Sequence, residues 1–150
     1  MADVDLEALR AEWVGWEFDR SEFVVDRQQM LDWAEACGET DPRFCDPDHA
    51  DFQAHPSFTT KFSSRRVLPK GFPSIGGGRG IDGGKAVEVS GPVRAGDVLT
   101  ASSHIADIYE KTGRSGTMVF IVHRMVFTNP DGDEVATVDW RMIRSMDGGP

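Results

Sequence analysis

The sequence predicts an α+β domain, with helices early in the chain packed on a run of antiparallel strands late in it. Three observations carry this. Apolar residues recur at helical spacing in the first half, the period drops to two after residue 85, and turn residues separate the late segments. At 150 residues and 16.5 kDa the chain suits one domain over 1–150, with 146–150 as a flexible tail. It is 39% hydrophobic and 27% charged, with mean hydropathy −0.36, enough apolar material for a core.

Element by element, Asp5 to Trp13 reads as a short amphipathic helix closed by a turn at Gly15. Trp16 to Val25 reads as a strand with Trp16, Phe18 and Val24 on one face. Asp26 is a good N-cap, and Met30, Trp33, Ala34 and Cys37 follow at i, i+3, i+4, i+7 before Gly38 stops the helix. Glu39 to His55 is polar and reads as an irregular excursion. A long helix is expected from Pro56 through Leu68, ending before Pro69. Lys85–Ser90 and Asp97–Tyr109 read as strands, the second with Leu99, Ala101, Ile105 and Tyr109 on one face. Thr117–Phe127, apolar on both faces in its first half, is expected to be central. After the turn at Asn129-Pro130-Asp131-Gly132, Ala136, Val138, Trp140 and Met142 alternate with Thr137, Asp139 and Arg141.

The net charge of −9 argues against nucleic acid as a partner, because phosphate contacts require a basic face. No segment approaches the roughly 18 apolar residues of a membrane span. The acidic N-terminus lacks a signal-peptide pattern, and two cysteines, Cys37 and Cys45, give no disulfide framework, so the expected location is cytoplasmic. Charge is uneven: residues 1–55 sum to −11, residues 56–96 to +5 and the rest to −3. The basic island can steer an anionic ligand, or it can be a set of solvated surface charges.

Gly78-Arg79-Gly80-Ile81-Asp82-Gly83 satisfies G-x-G-x-x-G, but a β-branched pattern follows where a nucleotide site needs a helix. The glycine cluster over 76–84 is expected to be a mobile loop, in place to gate a ligand. Cys37, Cys45, Asp46, Asp48, His49, Asp51 and His55 lack metal-ligand spacing, and no metal is expected. No G-x-S-x-G elbow is present. His104 and His123 lie in strand patterns and read as satisfied structural histidines.

Gly91-Pro92-Val93-Arg94-Ala95-Gly96-Asp97-Val98-Leu99 and Cys37-Gly38-Glu39-Thr40-Asp41-Pro42, with the order of elements around them, resemble the MaoC-like hydratases and dehydratases. The likeness is to their N-terminal, dehydratase-like branch, whose members often form half of a two-hotdog unit. The resemblance implies a hotdog fold, a long central helix wrapped by a curved antiparallel sheet. It also implies interconversion of trans-2-enoyl and (R)-3-hydroxyacyl thioesters, with an acyl-CoA or acyl-carrier thioester as substrate and no cofactor. Such chemistry needs a base for water, an acid for the α-carbon and a donor for the enolate oxygen.

Catalytic relatives carry G-D-x-N-P-[LI]-H. Here the matching run is Gly38-Glu39-Thr40-Asp41-Pro42-Arg43-Phe44, so Glu39 stands at the aspartate, Asp41 at the asparagine and Phe44 at the histidine. Relatives open the long helix with A-H-G, whose backbone N–H polarises the thioester. Ala54-His55-Pro56 has no N–H at that proline, leaving Ser57 or Phe58 to donate instead. The expectation is therefore a chain without a full catalytic pair, Glu39, Asp41 and His55 being its weak candidates. It would be the acyl-accommodating half of a heteromeric hydratase or dehydratase, with Lys61, Arg65, Arg66, Arg79 and Lys85 meeting carrier phosphates. The partner would be a second hotdog subunit, in a hetero- or homodimer or a tetramer. The alternatives are a self-sufficient homodimeric hydratase using Glu39 or Asp41, and a non-enzymatic acyl-thioester binding module or scaffold. A thioesterase ranks last, because Ser57–Leu68 holds no carboxylate.

Overall fold

A computed structural model describes residues 4–77 and 79–147. Helix α1 (Leu6–Trp13) starts on Asp5, whose carboxylate accepts the N–H of Ala8, and ends at the left-handed Gly15. Strand β1 (Asp19–Val24) leads to helix α2 (Arg27–Ala36), capped by Asp26 accepting from the Gln29 N–H and closed at Gly38 with φ 68°. Met30 and Ala34 of α2 are buried as the spacing predicts, but Cys37 is exposed beyond the helix end. A single turn, α3 (Pro42–Cys45), interrupts the acidic excursion.

The four remaining strands are β2 (Gly80–Val89), β3 (Val98–Gly113), β4 (Gly116–Thr128) and β5 (Glu134–Ser145). With β1 they form one antiparallel sheet in the order β1-β3-β4-β5-β2. β4 is central, as its apolar sequence predicts, and Ala136, Val138, Trp140 and Met142 share the inner face of β5. Two apolar clusters lie on that face. Met30, Phe58, Phe62, Leu99, Phe127 and Val138 belong to one, and Ile75, Ile105, Ile108, Val119, Ile121 and Met142 to the other.

The long helix expected over 56–68 does not form. Only Phe58–Lys61 makes a 3-10 turn, and after an extended Phe62 the chain runs on without regular structure, bent at Arg65, Val67 and Leu68. Its hydroxyls and amides are engaged elsewhere: Thr60 Oγ1 donates to Ser57 O at 2.6 Å, Ser64 Oγ to Arg66 O at 2.6 Å, and the Arg65 N–H reaches Asp19 at 3.1 Å. Ser and Thr compete with the helical ladder in this way, and Pro69 denies residue 68 a helical conformation.

Three smaller expectations are also corrected. In β1 the inner face is Asp19, Ser21 and Phe23, continued by Val25, while Val24 is 65% exposed, because the chain breaks phase between Phe18 and Asp19. A bulge between Ile105 and Asp107 shifts β3 by one, turning Ile108 inward where Tyr109 was expected. The glycine cluster is no loop from Gly80 onward. It is edge strand β2, bulged between Asp82 and Lys85 at Gly83, where a Cβ would stand 2.8 Å from Arg141 O. Gly78 and residues 148–150 of the expected tail lie outside the described residues.

Candidate functional site

The turn Gly91–Asp97 positions the loop that carries His55. Gly96 adopts φ 88°, and its N–H donates to Val25 O. Val93 O accepts the Ala54 N–H at 2.8 Å, and the Arg94 guanidinium donates to Phe52 O and pairs with Asp51 at 3.0 Å. The strand-linking turn thus clamps the residues just before His55.

Glu39 and His55, 16 positions apart, meet there with Oε2 and Nε2 3.1 Å apart. Glu39 Oε1 accepts the N–H groups of Thr40 and Asp41, both at 2.9 Å. Those backbone donors, the Asp41 N–H foremost, hold its carboxyl below the usual range. On its other side, His55 Nδ1 faces Ser57 Oγ at 2.8 Å, and Ser57 Oγ accepts the Trp33 indole N–H at 2.9 Å. The bonds chain consistently if Nε2 carries the proton, with indole donating to hydroxyl, hydroxyl to imidazole and imidazole to carboxylate.

Phe44 is buried at 8% exposure and meets the His55 ring edge-on, centroids 5.6 Å apart. Asp41 caps α3 through the Arg43 N–H and pairs with the Arg43 guanidinium at 2.8 Å, which holds its carboxyl low. The backbone donors expected to replace that of Pro56 are both used: the Ser57 N–H goes to His55 Nδ1 and the Phe58 N–H to His55 O. Of the three weak candidates the fold brings Glu39 and His55 together and leaves Asp41 outside the pair. Beside His55, Pro56, Phe58 and Thr59 is a small cavity of about 20 Å³, the size of one water.

Where the long helix was expected, two adjoining cavities of about 250 Å³ each open between the irregular segment and the sheet. Phe62, Lys85, His123 and Met125 line the first, Ile81, Met142 and Arg144 the second, and both share Val67 and Trp140. Lys85 stands at this groove, its ammonium donating to Thr60 O at 2.8 Å. Lys61 lies against the Phe58 and Phe62 rings. Arg65 is held at the opposite sheet edge by Asp19, 3.5 Å away, and Arg66 and Arg79 are exposed. The basic residues therefore do not gather into one patch.

The sequence model of the family described as FAS1-like, dehydratase domain region, matches residues 12–138. The chain belongs to the FAS1-like dehydratase family. Among solved structures, this FAS1-like dehydratase chain is similar to the C-terminally truncated HadBC (3R-hydroxyacyl-ACP dehydratase) complex from Mycobacterium tuberculosis. Identity is 22% and the TM-score 0.61, over 88% of this chain and 93% of that one. It also resembles the ChsH1-ChsH2 complex of the same organism, at 16% identity and TM-score 0.64, over 97% and 91% of the two chains. The (R)-hydratase from A. caviae involved in PHA biosynthesis aligns at 16% identity and TM-score 0.58, over 86% and 94%. No curated protein matches in sequence. The five-stranded antiparallel sheet with few helices is the hotdog fold of these neighbours, here without its long central helix.

Proposed function

We propose that this FAS1-like dehydratase chain is the acyl-accommodating, non-catalytic half of a heteromeric (R)-specific enoyl-thioester hydratase or 3-hydroxyacyl-thioester dehydratase. The groove left by the shortened central helix carries this reading. A helix over 56–68 would fill the inner face of the sheet, whereas the four-residue turn at Phe58–Lys61 leaves room for an acyl chain against Met125, Trp140 and Met142.

The loop at Glu39 supports the second half of the proposal. Its carboxylate is committed to two backbone amides and His55, and a depressed pKa makes it a poor base. Phe44 can neither take nor give a proton, and the amides nearest Pro56 are already bonded. A second hotdog subunit would supply the Asp/His pair, in keeping with the two heteromeric complexes among the structural neighbours. Lys85, at the groove, and the exposed Arg66 and Arg79 are the residues best placed to meet carrier phosphates.

The test is hydration of crotonyl-CoA and longer trans-2-enoyl-CoA esters, by the chain alone and co-expressed with a hotdog subunit bearing an intact Asp/His pair. Turnover only in the pair is expected; robust turnover by the chain alone overturns the proposal. The 3.1 Å Glu39–His55 contact beside a water-sized cavity favours a second reading, a self-sufficient hydratase, which predicts that second outcome. Binding of acyl-CoA without turnover in any pairing identifies a scaffold.

A further inference from the structure

His123 and His55 stand in opposite situations. His123 is 2% exposed, and its Nε2 has no hydrogen-bond partner among the described residues, which corrects the expectation of a satisfied structural histidine. Burial seals that nitrogen from any reactant. His55 keeps part of its surface in solvent and is engaged at both ring nitrogens, by Glu39 at 3.1 Å and by Ser57 Oγ at 2.8 Å.

The backbone fixes which nitrogen of His55 is protonated. The Ser57 N–H, which can only donate, reaches Nδ1 at 3.2 Å. Nδ1 therefore holds the lone pair, the Ser57 hydroxyl donates to it as well, and Nε2–H faces the Glu39 carboxylate. Ser57 is also the N-cap of the turn Phe58–Lys61, where a serine oxygen ordinarily accepts an amide of the first turn. Its hydroxyl makes no such bond and is turned to the imidazole instead. The Trp33 indole donates to the same oxygen at 2.9 Å. Ser57 is not fully buried, and exposed Cys37 lies beside it, Sγ 3.9 Å from the hydroxyl.

We propose that Ser57, His55 and Glu39 form a nucleophilic triad that hydrolyses acyl thioesters through an acyl-serine intermediate. Ser57 Oγ attacks the thioester carbonyl carbon while its proton passes to His55 Nδ1. The C–S bond then breaks, and that proton leaves on the thiol. Water attacks the acyl-serine ester next, giving a proton to Nδ1, and Ser57 Oγ takes it back as the carboxylic acid departs. Glu39 exchanges no proton in this cycle. It holds the tautomer through Nε2–H and balances the imidazolium, a role that suits a carboxylate kept ionised by two backbone amides. The property that makes it a poor base makes it a good third member. The carboxylate that a thioesterase needs, absent from Ser57–Leu68, comes here from the loop at Glu39. The Trp33 N–H is the donor beside the developing charge, while the Phe58 amide is already bonded to His55 O, so slow turnover is expected. The activity uses neither the groove nor the partner's catalytic pair.

The experiment incubates the full chain with butyryl-CoA, which has no double bond to hydrate, so its outcome is separate from that of the hydration assay. Free CoA is measured by chromatography, and protein quenched in acid during turnover is mapped by peptide mass spectrometry. Released CoA and a butyryl group on Ser57 are expected, and Ser57→Ala should abolish both. His55→Gln and Glu39→Gln should each lower kcat by about 100-fold or more, the second with KM unchanged, because Glu39 touches the ring and not the ester. A wild-type chain with no butyryl group on Ser57, or with one on Cys37 alone, overturns the proposal, and that map decides even where Ser57→Ala does not fold. CoA release that persists in a folded Ser57→Ala chain overturns it as well.

Discussion

At His123, burial on the inner face of β4 opposes ionisation, and the positive neighbours His104 and Lys85 add to it, while Asp19 and Asp139 compensate only in part. The folded-state pKa falls from 6.5 to about 4. A depressed histidine pKa means that the unfolded chain binds more protons, so stability is full above about pH 6.5 and declines as pH falls toward 4. The difference amounts to about 3 kcal/mol at most. His104, also lowered by burial, contributes in the same direction. Denaturant titrations of wild type and His123→Leu across pH 7 to 4.5 are expected to show the decline largely removed in the variant. The sequence displayed this histidine in a strand but not the pairing of its nitrogens, which depends on four other strands. The Glu39–His55 contact was half legible: both residues stood out, but only the clamp from Gly91–Asp97 makes them touch. That Phe44 offers His55 no group to exchange a proton with was wholly legible, because it is a matter of side-chain identity.

Among the elements, those fixed by local rules followed the sequence: α1 and α2 from their aspartate caps, β4 from its doubly apolar run, and β5 from its alternation. Those decided by tertiary competition did not. Pro56 and the aromatic spacing favour a helix, yet Asp19 draws the Arg65 amide across to β1 and the hydroxyls take local acceptors, so the helix stops after one turn. The bulges in β2 and β3 leave no mark in a periodic pattern either, because one unpaired residue shifts every later side chain to the other face. The groove that results gives a prediction at this scale. Val67 lines both cavities, so Val67→Trp is expected to fill their junction. In the paired enzyme kcat/KM for a ten-carbon enoyl-CoA should fall about tenfold or more, while crotonyl-CoA changes little. Equal losses for both esters would mean that the acyl chain does not pass Val67.

Among the described residues the sheet has two open edges, β1 and β2. Ile81 and Val89 of β2 expose apolar side chains at 44% and 46%. An uncovered apolar edge is a template for another chain, and a second hotdog subunit paired along β2 would cover it. Ile81→Lys is expected to weaken co-purification with that subunit, measured by size-exclusion chromatography with light scattering, without lowering the melting temperature of the chain alone. Such pairing would also divide the labour between subunits. On the proposed function, one half would hold the water and move the proton, while the half with the shortened helix would hold the chain. The most direct measurement is kcat of the assembled two-subunit enzyme carrying Glu39→Gln and His55→Gln together in this chain. A kcat within about threefold of wild type is predicted, and a fall of about 100-fold or more, the usual contribution of a general base, would contradict the account.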